Sequence, residues 1–422
     1  MTLRFTTAGE SHGKALVAIV EGLPAGLPVT AEWVDHELAR RMQGYGRGAR
    51  MKIERDRIEW LSGLRAGETL GSPVAMLIPN RDWANWEDVM AYESADGPGE
   101  LRRRRVTRPR PGHADLAGVL KYDRVDARDI LERASARETT ARVAAGALAK
   151  RLLSEFGVEI GSHVTSLGGV LTESAKGTRG AALPVPLNEA SDHSEVRVLD
   201  PVAEAEIIRR IDAAKKAGDT LGGEVEVVAR GVVVGLGSHV SWDRKLDGRL
   251  AGMLMSIPAV KGVEIGMGFE AARRPGSEVH DAIKGGEDGE DGEGGKRSPH
   301  GGDLRGGFRR QSNNAGGLEG GITTGEPVVV KVAMKPISTL MSPLATVDLS
   351  TGEPAKAVSE RSDVTAVPAM GVIAEAVVAL VLAEAMLEKF GGDSLAEMRR
   401  NYTGYVAALG SRWASLRPAP ED

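Results

Sequence analysis

Short apolar runs separated by glycine-bearing turns dominate the first part of the chain. Leu3-Arg4-Phe5-Thr6-Thr7 reads as a strand, and Ala15 to Val20 is apolar and β-branched enough for a second. Glu32–Met42 predicts a helix with Thr30 as its cap. The strongest helix signal is Ser135-Ala136-Arg137-Glu138, a capping box in which the serine hydroxyl takes an open amide and the glutamate reaches back. That helix should run from Ala136 to about Phe156 and stop at Gly157. Gly161–Leu171 and Glu224–Val234 suggest strands, and Gly177–Asp192 a loop. Asp200-Pro201 opens a helix ending at Gly218, and Lys245–Ser256 predicts another. Ala369–Phe390 is apolar nearly all round, which places a 22-residue helix at the centre of the fold. Its length would be ~33 Å. Glu375, Glu384 and Glu388 interrupt it, so it does not read as a membrane span.

Composition narrows the chemistry. Aromatics make up 4% of the 422 residues against 41% apolar residues overall, so the core must be aliphatic. The absence of cysteine excludes a thiol nucleophile, an iron–sulfur cluster, a cysteine zinc site and disulfide staples, and it suits the cytoplasm. Met1 leads almost directly into a strand, with no targeting signal. A net charge of −5 argues against bulk affinity for nucleic acid. No GxxxxGK[ST], strand-borne GxGxxG or HExxH occurs, so NTPase, dinucleotide-fold and zincin mechanisms lack support and no metal is expected. Gly285–Gly302 is close to low complexity and should be a mobile loop.

The chemistry-bearing residues lie on loops. Ala8-Gly9-Glu10-Ser11-His12-Gly13 places His12 on a tight turn at a strand end. Gly44, Gly46 and Gly48 thread among Arg41, Arg47 and Arg50, an anion cradle in character because guanidinium forks grip phosphate or carboxylate in pairs. Arg102–Arg105 form a basic run without interleaved aromatics, and Arg110-Pro111-Gly112-His113 sets a second histidine after a rigid turn. Arg137 at a helix start, with the Arg133-Ala134-Ser135 turn before it, suits an anion. Gly316–Gly321 is bare enough for close ligand contact, Lys335 to Thr339 adds a cation and two hydroxyls, and Arg361 and Asp363 face the same way in extended backbone. Together these imply a small, multiply anionic substrate, with histidines supplying protons and an aspartate removing one. Elimination or transfer on a phosphorylated carboxylate fits.

Seven of these stretches resemble chorismate synthase, in order: Gly9–Gly13, Gly44–Arg50, Arg108–Asp115, Glu132–Thr139, Asn314–Gly321, Lys335–Thr339 and Arg361–Pro368. The resemblance spans roughly Leu3 to Leu395. It implies an α+β fold: a single-domain β-α-β sandwich with central helices flanked by antiparallel sheets, a short tail after about residue 400, and a homotetramer. It implies elimination of phosphate from 5-enolpyruvylshikimate 3-phosphate to give chorismate, with reduced FMN required and no net redox change. His12 would be the acid beside the departing phosphate, His113 the histidine that protonates reduced flavin, and Asp363 the carboxylate that works with flavin N5. Ser11, Arg41, Arg47, Arg50, Arg110, Arg137 and Arg361 would surround the substrate. Arg41 and Arg47 would also face NADPH where it binds as reductant; a separate flavin reductase is the alternative. Arg133, Ala134, Ser135, Pro258, Ala259, Gly320, Lys335, Pro336, Ile337, Ser338, Thr339 and Arg361 would line FMN. Pro258 stands where many members carry Gln or Asn, and Thr365 where Cys is frequent. Two other readings compete: a flavin oxidoreductase sharing the pocket, and an RNA-binding protein using Arg102–Arg105.

Overall fold

The computed structural model describes residues 2–48, 55–93, 104–176, 183–285, 304–359 and 363–411. Its elements are α+β, and each of its two larger sheets is antiparallel. The first sheet contains β1 (Arg4–Ala8), β2 (Ala15–Glu21), β3 (Glu59–Ser62) and β4 (Val74–Pro79), in the order β1-β2-β4-β3. Along β2, Leu16, Ala18 and Val20 are buried while Ile19 is partly exposed, the period-two pattern of a sheet with one covered face. The second sheet contains β5 (Glu159–Leu167), β6 (Val170–Leu171), β7 (Gly223–Arg230), β8 (Val260–Ile265) and β9 (Val328–Met334), in the order β8-β9-β7-β5-β6. Val225 and Val227 on β7 pair with Val332 and Val330 on β9 and face the core, and Lys331 pairs with Glu226 between them.

The α-helices among the described residues are α1 (Ala31–Met42), α2 (Asp115–Lys121), α3 (Arg128–Ala134), α4 (Thr139–Ser154), α5 (Leu187–Asp192), α6 (Pro201–Ala217), α7 (Leu246–Met255), α8 (Val367–Phe390) and α9 (Leu395–Ser411), with two shorter ones. α4 packs on β2 on one side and on α8 on the other; α8 in turn lies on β5 and β7. The α4–α8 approach is close because Gly146 carries no side chain: a Cβ there would sit 2.4 Å from the Cβ of Ala376 and 2.6 Å from its Cα. α8 passes the length and composition test for a membrane span, yet 94% of its most apolar window is buried inside the fold.

One polar group lies at the heart of α8. Glu375 has no exposed surface, and its carboxylate accepts from Arg40 Nη1 at 2.8 Å and Nη2 at 3.1 Å, Lys150 Nζ at 2.6 Å, Ser162 Oγ at 2.6 Å and Arg197 Nη2 at 3.1 Å. Glu37 joins through Arg40 and Lys150, and Asp192 through Arg40 and Arg197. Three cations thus meet three anions, drawn from α1, α4, α5, α8 and Arg197. Burial opposes ionisation of Glu375, but Arg40, Lys150 and Arg197 outweigh it and hold its carboxyl well below the usual range.

Most helix and strand boundaries match the sequence reading to within a few residues. Thr30 caps α1 through Trp33 N, and Gly218 ends α6 in the left-handed region. Four expectations need correction. The capping box is half formed: Ser135 accepts from Arg137 N, but Glu138 accepts from Thr7 and Arg142 instead of reaching back, and a 3-10 turn (Ala136–Glu138) precedes α4. The expected loop before Asp192 contains α5, which packs on β5. The strand expected to reach Val234 ends at Arg230, where Gly231 turns the chain at φ +77°. The tail expected after residue 400 is helix through Ser411, because Met398, Tyr402 and Val406 are buried. Residues 286–303 lie outside the described residues, and with them nearly all of the acidic Gly-rich loop.

Candidate active site

Two histidines are each clamped by a carboxylate that an arginine braces. His12 follows β1. Its Nδ1 lies 3.0 Å from both oxygens of Glu132, and its backbone N–H donates to Glu132 Oε2 at 2.9 Å. Arg128, one turn earlier on α3, donates to Glu132 Oε1 at 2.8 Å. Burial alone would raise the Glu132 carboxyl; the His12 hydrogen bonds and charge, with Arg128, overcome this and hold it below the ordinary glutamate range. A carboxylate at Nδ1 fixes that nitrogen as the N–H donor and leaves Nε2 turned away from Glu132.

His113 repeats the device on a Pro-Gly turn. Its Nδ1 lies 2.5 Å from Asp115 Oδ1, and Asp115 is fully buried at the start of α2. Arg110 donates to both Asp115 oxygens, through its backbone N–H, Nε and Nη2, and to Thr339 Oγ1 at 2.9 Å. Burial raises the Asp115 carboxyl, but the His113 and Arg110 hydrogen bonds win and drive it far down. Lys335 Nζ donates to the Gly112 carbonyl, tying the turn to the segment after β9. Burial and the like charge of Lys261 push the Lys335 ammonium down.

A third grouping joins the Gly44–Gly48 loop to the chain before α8. Asp363 accepts from Gly48 N at 2.6 Å and pairs with Arg47 Nε at 3.0 Å. Gly46 makes the approach possible: it sits at φ +84°, and a Cβ there would come 2.9 Å from Ile211 and 3.3 Å from Thr365. Val364 N then donates to Gly46 O, and Leu221 N to Val364 O.

Arg41 and Arg137 lie between these groups. Arg137 forks onto Asp56 at 2.6 and 2.7 Å and donates to Asn80 Oδ1 at 3.0 and 2.9 Å. Asn80 Nδ2 in turn donates to Glu10 O and Gly13 O, so it fixes the His12 loop. Arg41 donates to Thr139 Oγ1 and Ala136 O, while its Nη1 is buried with no hydrogen-bond partner among the described residues. Burial, then the nearby Arg47 and Arg137, push this guanidinium down to about 9. Asp56, with Oδ2 4.0 Å from Nη1, and Asp363 offset this only in part.

The expected FMN-lining residues fall in two places. Ser135 Oγ donates to Ser11 Oγ at 3.2 Å, and Arg133 donates to the carbonyls of Gly9 and Thr7, beside His12. Ala259, at φ +68°, accepts from Lys335 N, which puts Pro258 and Ala259 against Lys335; Ile337 O accepts from Thr220 Oγ1. Gly320 turns the Leu318–Thr323 hairpin with open space where a side chain would project. Pro336 lines an open cavity of about 430 Å³ with Thr220, Leu221 and Gly222, and none of the three proton-transfer candidates borders it. Arg50 and Arg361 lie outside the described residues, as do Arg102 and Arg103. Arg105 donates to the Val125 carbonyl. Arg110, read as a substrate ligand, is turned onto Asp115 and Thr339. Glu132, Asp115, Asn80 and Asp56 were not singled out from the sequence. A carboxylate two residues from His113 was the one signal available for Asp115; the others are brought in across 57 to 120 residues of sequence.

The family model described as chorismate synthase matches residues 3–387. A chorismate synthase of Geobacter sulfurreducens is 56% identical over 404 residues, covering 96% of this chain and 98% of that protein. One of Aquifex aeolicus is 54% identical over 407 residues, covering 96% and 97%. A solved chorismate synthase crystal structure superposes with a TM-score of 0.75 at 44% identity, covering 97% of this chain and 99% of that one.

Proposed function

Because the chain belongs to the chorismate synthase family, we propose the following division of labour for the family's carbon–oxygen lyase reaction. The substrate, 5-enolpyruvylshikimate 3-phosphate, carries two carboxylates and a phosphate. Arg41 carries the reading: a buried cation whose Nη1 makes no hydrogen bond among the described residues and reaches Asp56 only at 4.0 Å, repelled by Arg47 and Arg137, gains most from an incoming polyanion. Arg47, Arg50, Arg137, Arg361 and Ser11 complete the anion-binding surface, and Arg110 orients His113.

His12 delivers a proton from Nε2 to the departing phosphate while Glu132 balances the imidazolium through Nδ1. Asp363, oriented by Arg47 and Gly48 N, accepts the ring proton. Asp115 holds His113 so that its Nε2 serves as proton donor. The residues around Lys335 fit a flavin phosphate: burial and the like charge of Lys261 both press on the Lys335 ammonium, and an incoming phosphate would relieve them. Reduced FMN, when bound by Arg133–Ser135, Ala259, Gly320 and Lys335–Thr339, supplies electron density transiently as the C–O bond breaks. NADPH facing Arg41 and Arg47, or a separate reductase, would keep the flavin reduced. The sheet–helix–sheet contacts support the β-α-β sandwich description, and a cytoplasmic homotetramer is the assembly we assign.

An anaerobic assay with the enolpyruvyl substrate and chemically reduced FMN tests this. Chorismate and phosphate should appear in equal amounts. NADPH consumption tied to each turnover would instead favour a flavin oxidoreductase.

A further inference from the structure

The chain has few aromatics, yet Trp83 and Trp86 lie within four residues. The Trp86 indole stacks on the His12 imidazole, with ring centroids 3.8 Å apart and planes inclined by 23°. Its orientation is fixed locally: Trp86 Nε1 donates to Asp82 Oδ2 at 2.9 Å, and Asn85 Nδ2 donates to Asp82 Oδ1 at 2.7 Å. The guanidinium carbons of Arg104 and Arg128 lie 4.5 and 5.1 Å from the centroid of the Trp86 ring. Arg128 also holds Glu132. One indole therefore touches the acid and an arginine that braces the acid's carboxylate.

Resting on the assignment of His12 as the acid, we propose that Trp86 is a positioning residue for it. The stacked indole covers one face of the His12 imidazole. The same contact keeps water from one face of the His12–Glu132 pair, and charge pairs are stronger where the dielectric is lower. It also fixes the ring plane while Glu132 holds Nδ1, so proton delivery is confined to Nε2. Arg104 and Arg128 draw the indole into place, and Arg128 also offsets the negative charge of Glu132.

The test combines steady-state kinetics with tryptophan emission of the full-length protein, using Trp86→Ala, Trp86→Phe, His12→Asn and His12→Asn/Trp86→Phe. Trp86→Ala should lower kcat roughly 10- to 100-fold, the scale of a misplaced catalytic group, with KM within about twofold and an unchanged melting midpoint. Trp86→Phe keeps a ring face and should recover most of the loss. Stacked imidazole quenches indole emission, so His12→Asn should brighten the wild type and leave the Trp86→Phe protein unaltered. A folded Trp86→Ala with wild-type kcat, or His12→Asn brightening that persists in the Trp86→Phe protein, overturns the role of Trp86. Full activity in His12→Asn would remove the acid assignment itself, and the proposal with it.

Discussion

Replacing Glu375 by Gln changes one atom in each of two respects, charge and hydrogen-bonding sense. The buried network then holds Arg40, Lys150 and Arg197 against Glu37 and Asp192, so one positive charge is uncompensated. The new amide must also point its NH₂ at donors, because each carboxylate oxygen of Glu375 accepts from at least two N–H or O–H groups. Removing one partner of a buried pair costs about 3–5 kcal/mol. Total stability is about 5–15 kcal/mol, so a fifth or more of it is at stake. For a chain of 422 residues the melting midpoint should fall by about 3–6 °C. Differential scanning calorimetry on Glu375→Gln, Arg40→Met and the double variant checks the account. The double loss should be smaller than the sum of the singles, since the second change removes a charge the first stranded. A Glu375→Gln midpoint within about 1 °C of wild type, or strict additivity, would refute the reasoning.

His113→Ala and Asp363→Ala should leave the fold intact and cut turnover about 10²–10⁴-fold, measured with reduced FMN under anaerobic conditions; near-normal rates would remove their roles. Glu37, Glu375, Glu132 and Asp115 all have depressed carboxyl pKa values in the fold. Their stabilisation is therefore complete above the unfolded values near 4 and is lost as pH falls below them. Melting midpoints followed from pH 7 to pH 3 should hold until about pH 4.5 and then drop. Gly146→Ala forces a methyl into Ala376, an overpacking cost of about 1–3 kcal/mol set against roughly 1 kcal/mol of helix propensity. Gly252→Ala, where nothing lies within 4 Å, should gain up to about 1 kcal/mol; urea midpoints moving in the same direction for both would sink the packing argument.

Local pattern carried the elements well. Thr30, Asp200-Pro201 and Gly218 announce their helix ends because capping is a property of a few adjacent residues. The loop positions of His12, His113 and Asp363 were legible for the same reason. What escaped is what depends on distance along the chain. Glu138 satisfies the motif for reaching back, yet a tertiary partner, Thr7, competes for its carboxylate and wins. Arg110 and Arg137 looked like open cations, but Asp115 and Asp56 engage them. Arg40 and Arg41 are neighbours in sequence, and nothing local says that one faces the buried network and the other the candidate site.

The most water-averse helix of this protein is also nearly the last piece of it to be synthesised. When Val367 leaves the ribosome, both sheets and α4, which will enclose α8, have already been translated. At about 5–20 residues per second, those walls are complete a few seconds before α8 follows them, leaving a vacant slot for it. Docking of α8, guided by the single carboxylate that must find three waiting cations, would then be the closing event of folding. A nascent chain arrested before that point would display an open greasy trough, the kind of surface that chaperones bind.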